Sequence, residues 1–367
     1  MAPHSAPHPR APHPAITMTS MSPIAPDRTP RPEPDPEPHP KPALDDLIAR
    51  SHVVALPMRA RFRGITTREA LLIEGPRGWG EWAPFPEYED AEAATWLSGA
   101  LESAYAGLPP ARAESVEVNA TIPAVEPGRV PGLLARYPGC TTVKVKVAER
   151  GQCLAEDVAR VEAVRGVIPD ARVRVDANRG WTVDQALKAA RALGPLDYME
   201  QPCATVEELA ELRSGLRAAG IPARVAADES IRRVRDPYRV ADLMAADVAV
   251  LKVAPLGGVR RLLGIAEHLR ESRARMGATV ASALDTAVGM NAGLVAASCL
   301  PEPQAPAGLA TQSLFVEDVA APRALVGGRL STAPVAPERA RLESLAAPAG
   351  RRAWWIERLS RCWDHLD

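Results

Sequence analysis

Residues 141–147 read Thr-Thr-Val-Lys-Val-Lys-Val, and residues 171–178 read Ala-Arg-Val-Arg-Val-Asp-Ala-Asn. Both runs alternate a β-branched residue with a charged one, the period of a strand with one apolar and one polar face. Between them Leu154, Val158, Val161 and Val164 recur at helical spacing, as on a helix that covers one side of a sheet. Outward from this unit the alternation continues. VEVNATI (116–122) precedes it; LDYMEQP (196–202), ARVAADES (223–230), DVAVLKVA (247–254), ATVASALD (278–285) and a weaker APAGLAT (305–311) follow. Two of the intervening helices are punctuated at both ends, by Thr182 with Gln185 before Gly194, and by Thr205 with Glu208 before Gly220. Strand and helix in alternation predict an α/β chain with a parallel sheet, and eight strands at this repeat length suit a closed barrel. An open doubly wound sheet would carry a Gly-rich phosphate turn after its first strand, and the sequence has none there.

The charges fall on this frame at regular intervals. Five consecutive strand-like runs end in Lys146, Asp176, Glu200, Asp228 and Lys252, at separations of 30, 24, 28 and 24 residues. Residues that repeat once per unit at strand C-termini converge on one mouth of a barrel, where barrel enzymes place their sites. Lys144 and Lys146 share a face, as do Asp176 and Asn178. One acid at a strand end is most often a helix cap or an ion-pair partner. Five ionisable groups in successive units are not explained that way, because buried uncompensated charge is costly. Three carboxylates without His or Cys make a hard oxygen set suited to Mg²⁺ or Mn²⁺ rather than zinc. The chain holds 39 Arg and only five Lys, three of them in these Val-rich runs. Unlike Arg, a desolvated Lys can release its proton, so these are candidate proton carriers.

The flanks differ in character. Residues 1–43 contain 14 of the 37 prolines and four of the seven histidines, and read as a disordered Pro/His-rich leader. Residues 44–115 read as a small α+β unit. Its strands are expected at 52–57 and 70–74, joined by the polar Arg-rich stretch 59–68, with a turn-rich aromatic cluster at 78–86 and a helix near 90–106. Residues 116–325 carry the repeat. Residues 326–367 leave it, and the aromatic helix around Trp354 and Trp355 is expected to pack back on the first unit. A formal net charge of −1, from 44 basic and 45 acidic residues, argues against nucleic-acid binding and electrostatic membrane attachment. No run approaches the roughly 18 apolar residues of a membrane span. Five widely spaced cysteines without a CxxC pair describe a reduced, cytoplasmic protein. Oligomeric state, monomer or homo-oligomer, is not legible.

The motifs Lys144-Val-Lys146, Asp176-Ala-Asn-Arg-Gly-Trp181, Glu200-Gln-Pro202, Ala227-Asp-Glu-Ser230 and Leu251-Lys252 resemble the enolase superfamily, muconate-lactonising subgroup. The stretch Phe62 to Tyr88 is similar to the capping domain of the actinobacterial o-succinylbenzoate synthase family. That resemblance implies a modified TIM barrel, (β/α)7β, with an α+β capping domain built from N-terminal and C-terminal segments. It implies Asp176, Glu200 and Asp228 as Mg²⁺ ligands, with Mn²⁺ able to substitute, Lys146 as acid/base and Lys252 as the facing cation. Lys144, Arg63, Ser282 and Gly289 would touch a small-molecule carboxylate substrate, with Asn178 and Glu229 supporting the ligands. The stretch 59–68 would form a mobile capping loop. The implied reaction is a syn dehydration in menaquinone biosynthesis that aromatises a cyclohexadiene carboxylate. The superfamily's pairing of a lysine base with Mg²⁺ is a known case of tuned acidity. An N-acylamino acid racemase or dipeptide epimerase would need the same two lysines, so the motifs leave that alternative open.

Overall fold

The computed structural model describes residues 41–62, 64–301 and 304–366; most of the expected leader, and Arg63, lie outside them. The helices are α1 (Leu44–Ala49), α2 (Asp90–Leu101), α3 (Val130–Leu134), α4 (Leu154–Val167), α5 (Val183–Ala192), α6 (Val206–Ala218), α7 (Asp236–Asp242), α8 (Val259–Glu271), α9 (Gly289–Cys299), α10 (Arg339–Ser344) and α11 (Ala349–Trp363). The strands are β1 (Ser51–Phe62), β2 (Ile65–Gly75), β3 (Gly78–Trp82), β4 (Ser115–Glu117), β5 (Ala120–Ile122), β6 (Thr142–Lys146), β7 (Arg172–Asp176), β8 (Tyr198–Glu200), β9 (Arg224–Ala227), β10 (Val248–Leu251), β11 (Gly277–Val280) and β12 (Arg329–Ser331).

Strands β5 to β11 form one parallel sheet in strict chain order, joined by helices that cover its outer face. The weak run at 305–311 closes it. Ala307 bridges Val118 on one edge and Gly308 bridges Ala281 on the other, both parallel. Ala307 N–H donates to Glu117 O at 2.8 Å and Gly308 N–H to Val280 O at 2.8 Å. The barrel is thus seven regular strands and an eighth reduced to two bridged residues. The run at 116–122 divides, since Ser115–Glu117 pairs antiparallel with β12 and only Ala120–Ile122 joins the barrel.

The first unit is a three-stranded antiparallel sheet, β1-β2-β3, backed by α2 and α11. The polar stretch at 59–68 is largely strand rather than a free loop, since β1 and β2 run to Phe62 and from Ile65 with a register irregularity after Pro57. Its many charged side chains hide the alternation on which a strand assignment relies. Helix α2 lies directly on the sheet backbone, because a Cβ at Gly80 would stand 2.1 Å from Ala100 O. At Glu102–Ala106 the helix widens into a π-turn. The C-terminal helix α11 lies against the first unit. Buried Trp355 meets Trp82 edge-to-face at 5.3 Å, and its Nε1–H donates to Glu69 Oε2 at 2.9 Å. Three apolar clusters result: one between the barrel strands and the helices that cover them, a small one of Tyr198, Ala226, Val248, Val250 and Ala281, and one between the sheet, α2, α11 and the loop after β11.

Candidate active site

On β6, Val143 and Val145 are fully buried against the helices, which turns Lys144 and Lys146 to the barrel interior. The parallel register then aligns the site. Lys146 lies opposite Asp176, and Asp176 opposite Glu200, across three adjacent strands. Asp228 and Lys252 each follow the last residue of their strands, β9 and β10, at the same C-terminal rim. All five ionisable groups anticipated from their spacing therefore meet at one end of the barrel.

They meet as ion pairs. Lys146 Nζ donates to Asp176 Oδ2 at 2.5 Å and Asn178 Oδ1 at 2.7 Å. Lys144 Nζ donates to Glu200 Oε1 at 2.9 Å and lies 3.4 Å from Asp176 Oδ2. Lys252 pairs with Asp228, whose other oxygen stands 3.4 Å from Arg232 Nη2. Asn178 Nδ2–H donates to Glu229 Oε1 at 3.1 Å, tying the ends of β7 and β9 together. Burial raises Asp176, but Lys146 and Lys144 overcome it and hold the carboxyl below its usual range. Burial likewise opposes the charge on Asp228, and Lys252 with Arg232 overturns that. Glu200 is the exception: burial pushes it up to about 7, with Lys144 pulling the other way and Asp176 and Asp228 adding to the rise. Lys144 is pulled down by burial, yet Glu200 and Asp176 keep it well above its ordinary value, which makes it a fixed charge rather than a proton carrier.

The rim backbone is held in an uncommon conformation. Asn178, Arg179 and Gln201 take φ values of 45°, 69° and 37°, the left-handed region that favours glycine. Gln201 compensates by bonding: buried, it accepts from Asp228 N–H and Ser230 N–H at 3.0 Å and donates to Ser230 Oγ at 2.7 Å. It positions the turn that presents Asp228. Sequence reasoning gave it no role, and its position directly after Glu200 was the available signal.

Above these groups lies a cavity of about 180 Å³. Lys144, Lys146, Asp176, Asn178, Asp228 and Lys252 line it from the barrel, Ser282 from the loop after β11, and Phe85, Tyr88 and Trp96 from the first unit. Ser282 Oγ donates to Asp285 Oδ2 at 2.8 Å. Gly289 is placed elsewhere. It lines a separate cavity of about 30 Å³ together with Glu81 and Asp285, and its N–H donates to Glu81 Oε2 at 3.0 Å. As the first residue of α9 it is committed to that cap, so proximity in sequence to Ser282 does not bring it to the larger cavity.

Family models described as enolase N-terminal domain-like and enolase C-terminal domain-like match residues 53–104 and 133–337. Together with the barrel rim, they define an enolase-superfamily architecture. The chain is 58% identical over 324 residues to o-succinylbenzoate synthase of Mycolicibacterium smegmatis, covering 88% of this chain and 97% of that one. It is 55% identical over 328 residues to the Mycobacterium tuberculosis protein of the same name, covering 89% and 97%. The chain belongs to the o-succinylbenzoate synthase family of the enolase superfamily. Among solved structures, the muconate lactonizing enzyme of Pseudomonas putida shares the fold, with a TM-score of 0.66, 20% identity and coverage of 81% and 98%.

Membership of this superfamily implies a divalent metal. Among the described residues no three acidic, histidine or cysteine side chains are drawn together in a coordination shell, because each rim carboxylate is turned onto an ammonium. The donor set nevertheless fits such an ion. It is all oxygen, buried and carried on consecutive strands, and Glu200 Oε2 is buried without any hydrogen-bond partner.

Proposed function

We propose that this chain catalyses the syn dehydration of 2-succinyl-6-hydroxy-2,4-cyclohexadiene-1-carboxylate to 2-succinylbenzoate, a hydro-lyase step of menaquinone biosynthesis. The relatives at 55–58% identity carry the name of that activity. The supporting observation within the site is that Lys146 and Lys252 flank three buried carboxylates at one rim, and that both lysines line one cavity with Asp176 and Asp228. Asp176, Glu200 and Asp228 would hold Mg²⁺, for which Mn²⁺ can substitute. A divalent ion held there supplies positive charge that stabilises the negative charge developing on the substrate carboxylate.

The remaining work falls to side chains. Lys146 Nζ takes the proton from the ring carbon that bears the carboxylate. It then returns that proton to the departing hydroxyl on the same ring face, so that water leaves and the ring becomes aromatic. One base suffices, which is why a syn elimination needs no partner acid. Lys252 stands as the opposing cation, which stabilises negative charge spreading over the ring. Lys144, held charged by Glu200 and Asp176, orients the substrate carboxylate. Asn178 and Glu229 steady Lys146 and the ends of β7 and β9. Ser282 offers a hydroxyl to the substrate, and a role for Arg63 rests on the resemblance alone. The same reading includes a cytoplasmic location, a capping domain at 44–115 completed by 326–367, and a catalytic domain at 116–325. Among the described residues no helix is long and apolar enough to cross a membrane. No observation favours the racemase or epimerase alternative.

A spectrophotometric assay tests the proposal. In Mg²⁺ the diene absorbance should fall as 2-succinylbenzoate forms. A folded protein that leaves the diene unchanged, yet exchanges the α-proton of N-acylamino acids for deuterium, would replace this reading by racemisation.

A further inference from the structure

The proposed substrate is a dianion: one carboxylate sits on the ring and a second ends the succinyl chain. The first is accounted for at the rim. The second needs a further cation lining the same cavity. Four positively charged side chains line that cavity among the described residues: Lys144, Lys146, Lys252 and Arg232. Each lysine pairs with a rim carboxylate at 2.9 Å or less, whereas Arg232 comes no nearer to one than 3.4 Å, which makes Arg232 the cation least committed to the rim.

Arg232 follows the short 3₁₀ turn Glu229–Ile231, which lifts the chain off the end of β9. Its Nη2 reaches back to Glu229 Oε1 at 3.0 Å and Asp228 Oδ2 at 3.4 Å. Asp228 is already paired with Lys252, and Glu229 Oε1 already accepts from Asn178, so neither anion is dedicated to the guanidinium. The buried Nε donates to nothing. Arg232 is therefore anchored by one nitrogen and left partly unsatisfied, although its side chain is only 19% exposed. It shares the cavity with Phe85, Tyr88 and Trp96, which offer the methylenes of an acyl chain an apolar wall. A guanidinium is the group whose planar fork matches a carboxylate.

We propose that Arg232 is the specificity-determining cation of this site, receiving the distal carboxylate of a substrate whose acyl chain lies along the aromatic wall. The proposal rests on the functional reading above. A merely structural Arg232, clamping Asp228 and Glu229, would affect every ligand of the site alike. A cation for the distal carboxylate affects only ligands that possess one.

The test is a binding cycle on the Mg²⁺-loaded full chain. Its probes are 2-succinylbenzoate and 2-butanoylbenzoate, which keeps the acyl chain and lacks the terminal carboxylate. Affinities are read by tryptophan fluorescence, with Trp96 as the cavity reporter. Arg232→Gln is expected to weaken 2-succinylbenzoate by roughly tenfold to a hundredfold while 2-butanoylbenzoate stays within about threefold. Arg232→Lys, the less disruptive variant, should recover part of the loss for the dianion only. Equal losses for both ligands, or no loss for either, would overturn the assignment. So would a wild-type chain that does not distinguish the two, a comparison that remains decisive if Arg232→Gln fails to fold. A wild-type chain that binds neither and leaves the diene substrate unchanged would overturn the functional reading itself.

Discussion

Replacing Glu81 by Gln removes a buried ionisable group with little change of shape. Glu81 stands on β3 and is 9% exposed. Its Oε2 caps α9, accepting from Thr286 N–H at 3.0 Å, Thr286 Oγ1 at 2.5 Å and Gly289 N–H at 3.0 Å. Its Oε1 faces no partner. Burial first, then the charge of Asp285, raise the carboxyl from 4.5 to about 7 against the opposing pull of Thr286 and Arg68. Because the folded value lies above the unfolded one, the group is protonated in both states below pH 4.5, where its contribution is intact. Stability is then lost as pH rises, and the loss is complete above about pH 7. At about 1.4 kcal/mol per pH unit, the interval amounts to on the order of 3 kcal/mol. Gln keeps an acceptor for the cap and cannot ionise. Urea unfolding at pH 5 and pH 8 should therefore show wild type losing most of that amount relative to Glu81→Gln. Glu200 and Asp318, also raised by burial, titrate in both proteins and cancel in the difference. Parallel pH–stability curves for the two proteins would refute the reasoning.

Lys146→Ala should fold and keep Mg²⁺ binding by calorimetry while losing about 10²-fold or more in turnover; near-normal turnover would overturn its role as the base. Chelation by EDTA should abolish activity and added Mg²⁺ restore it, and activity that persists through chelation would contradict the three-carboxylate metal site. Gly258→Ala should lower thermal stability by about 1–3 kcal/mol. Its Cβ would stand 2.2 Å from Glu102 Oε2 at a φ of +127°, displacing the carboxylate that accepts from Val259 N–H and Arg260 N–H at the start of α8. An unchanged melting curve would show that this cap yields without cost.

Much of the barrel is legible along the chain. Val143, Val145 and their lysine neighbours alternate as the strand requires, and Thr182 and Thr205 form the capping boxes their spacing predicts. The rim follows from the same regularity, because one ionisable residue per strand–helix unit must return to the same end of a barrel. These features depend on spacing within one repeat, and spacing is written in the sequence. Other features are not. The strand character of residues 59–68 is masked by charge, and the closing strand is reduced to Ala307 and Gly308, too short to carry a period. Gly289 leaves the predicted substrate set for the cap on α9 because Glu81, more than 200 residues earlier in the chain, accepts its N–H. Arg232 shares a cavity with Tyr88 and Trp96, and Glu102 meets the start of α8 157 residues later in the chain. Periodicity and motif determined the barrel and its ring of lysines and carboxylates by themselves. Which side chains face that ring from the other domain was decided only when burial of the apolar clusters brought remote segments together, since contacts of that kind leave no local pattern.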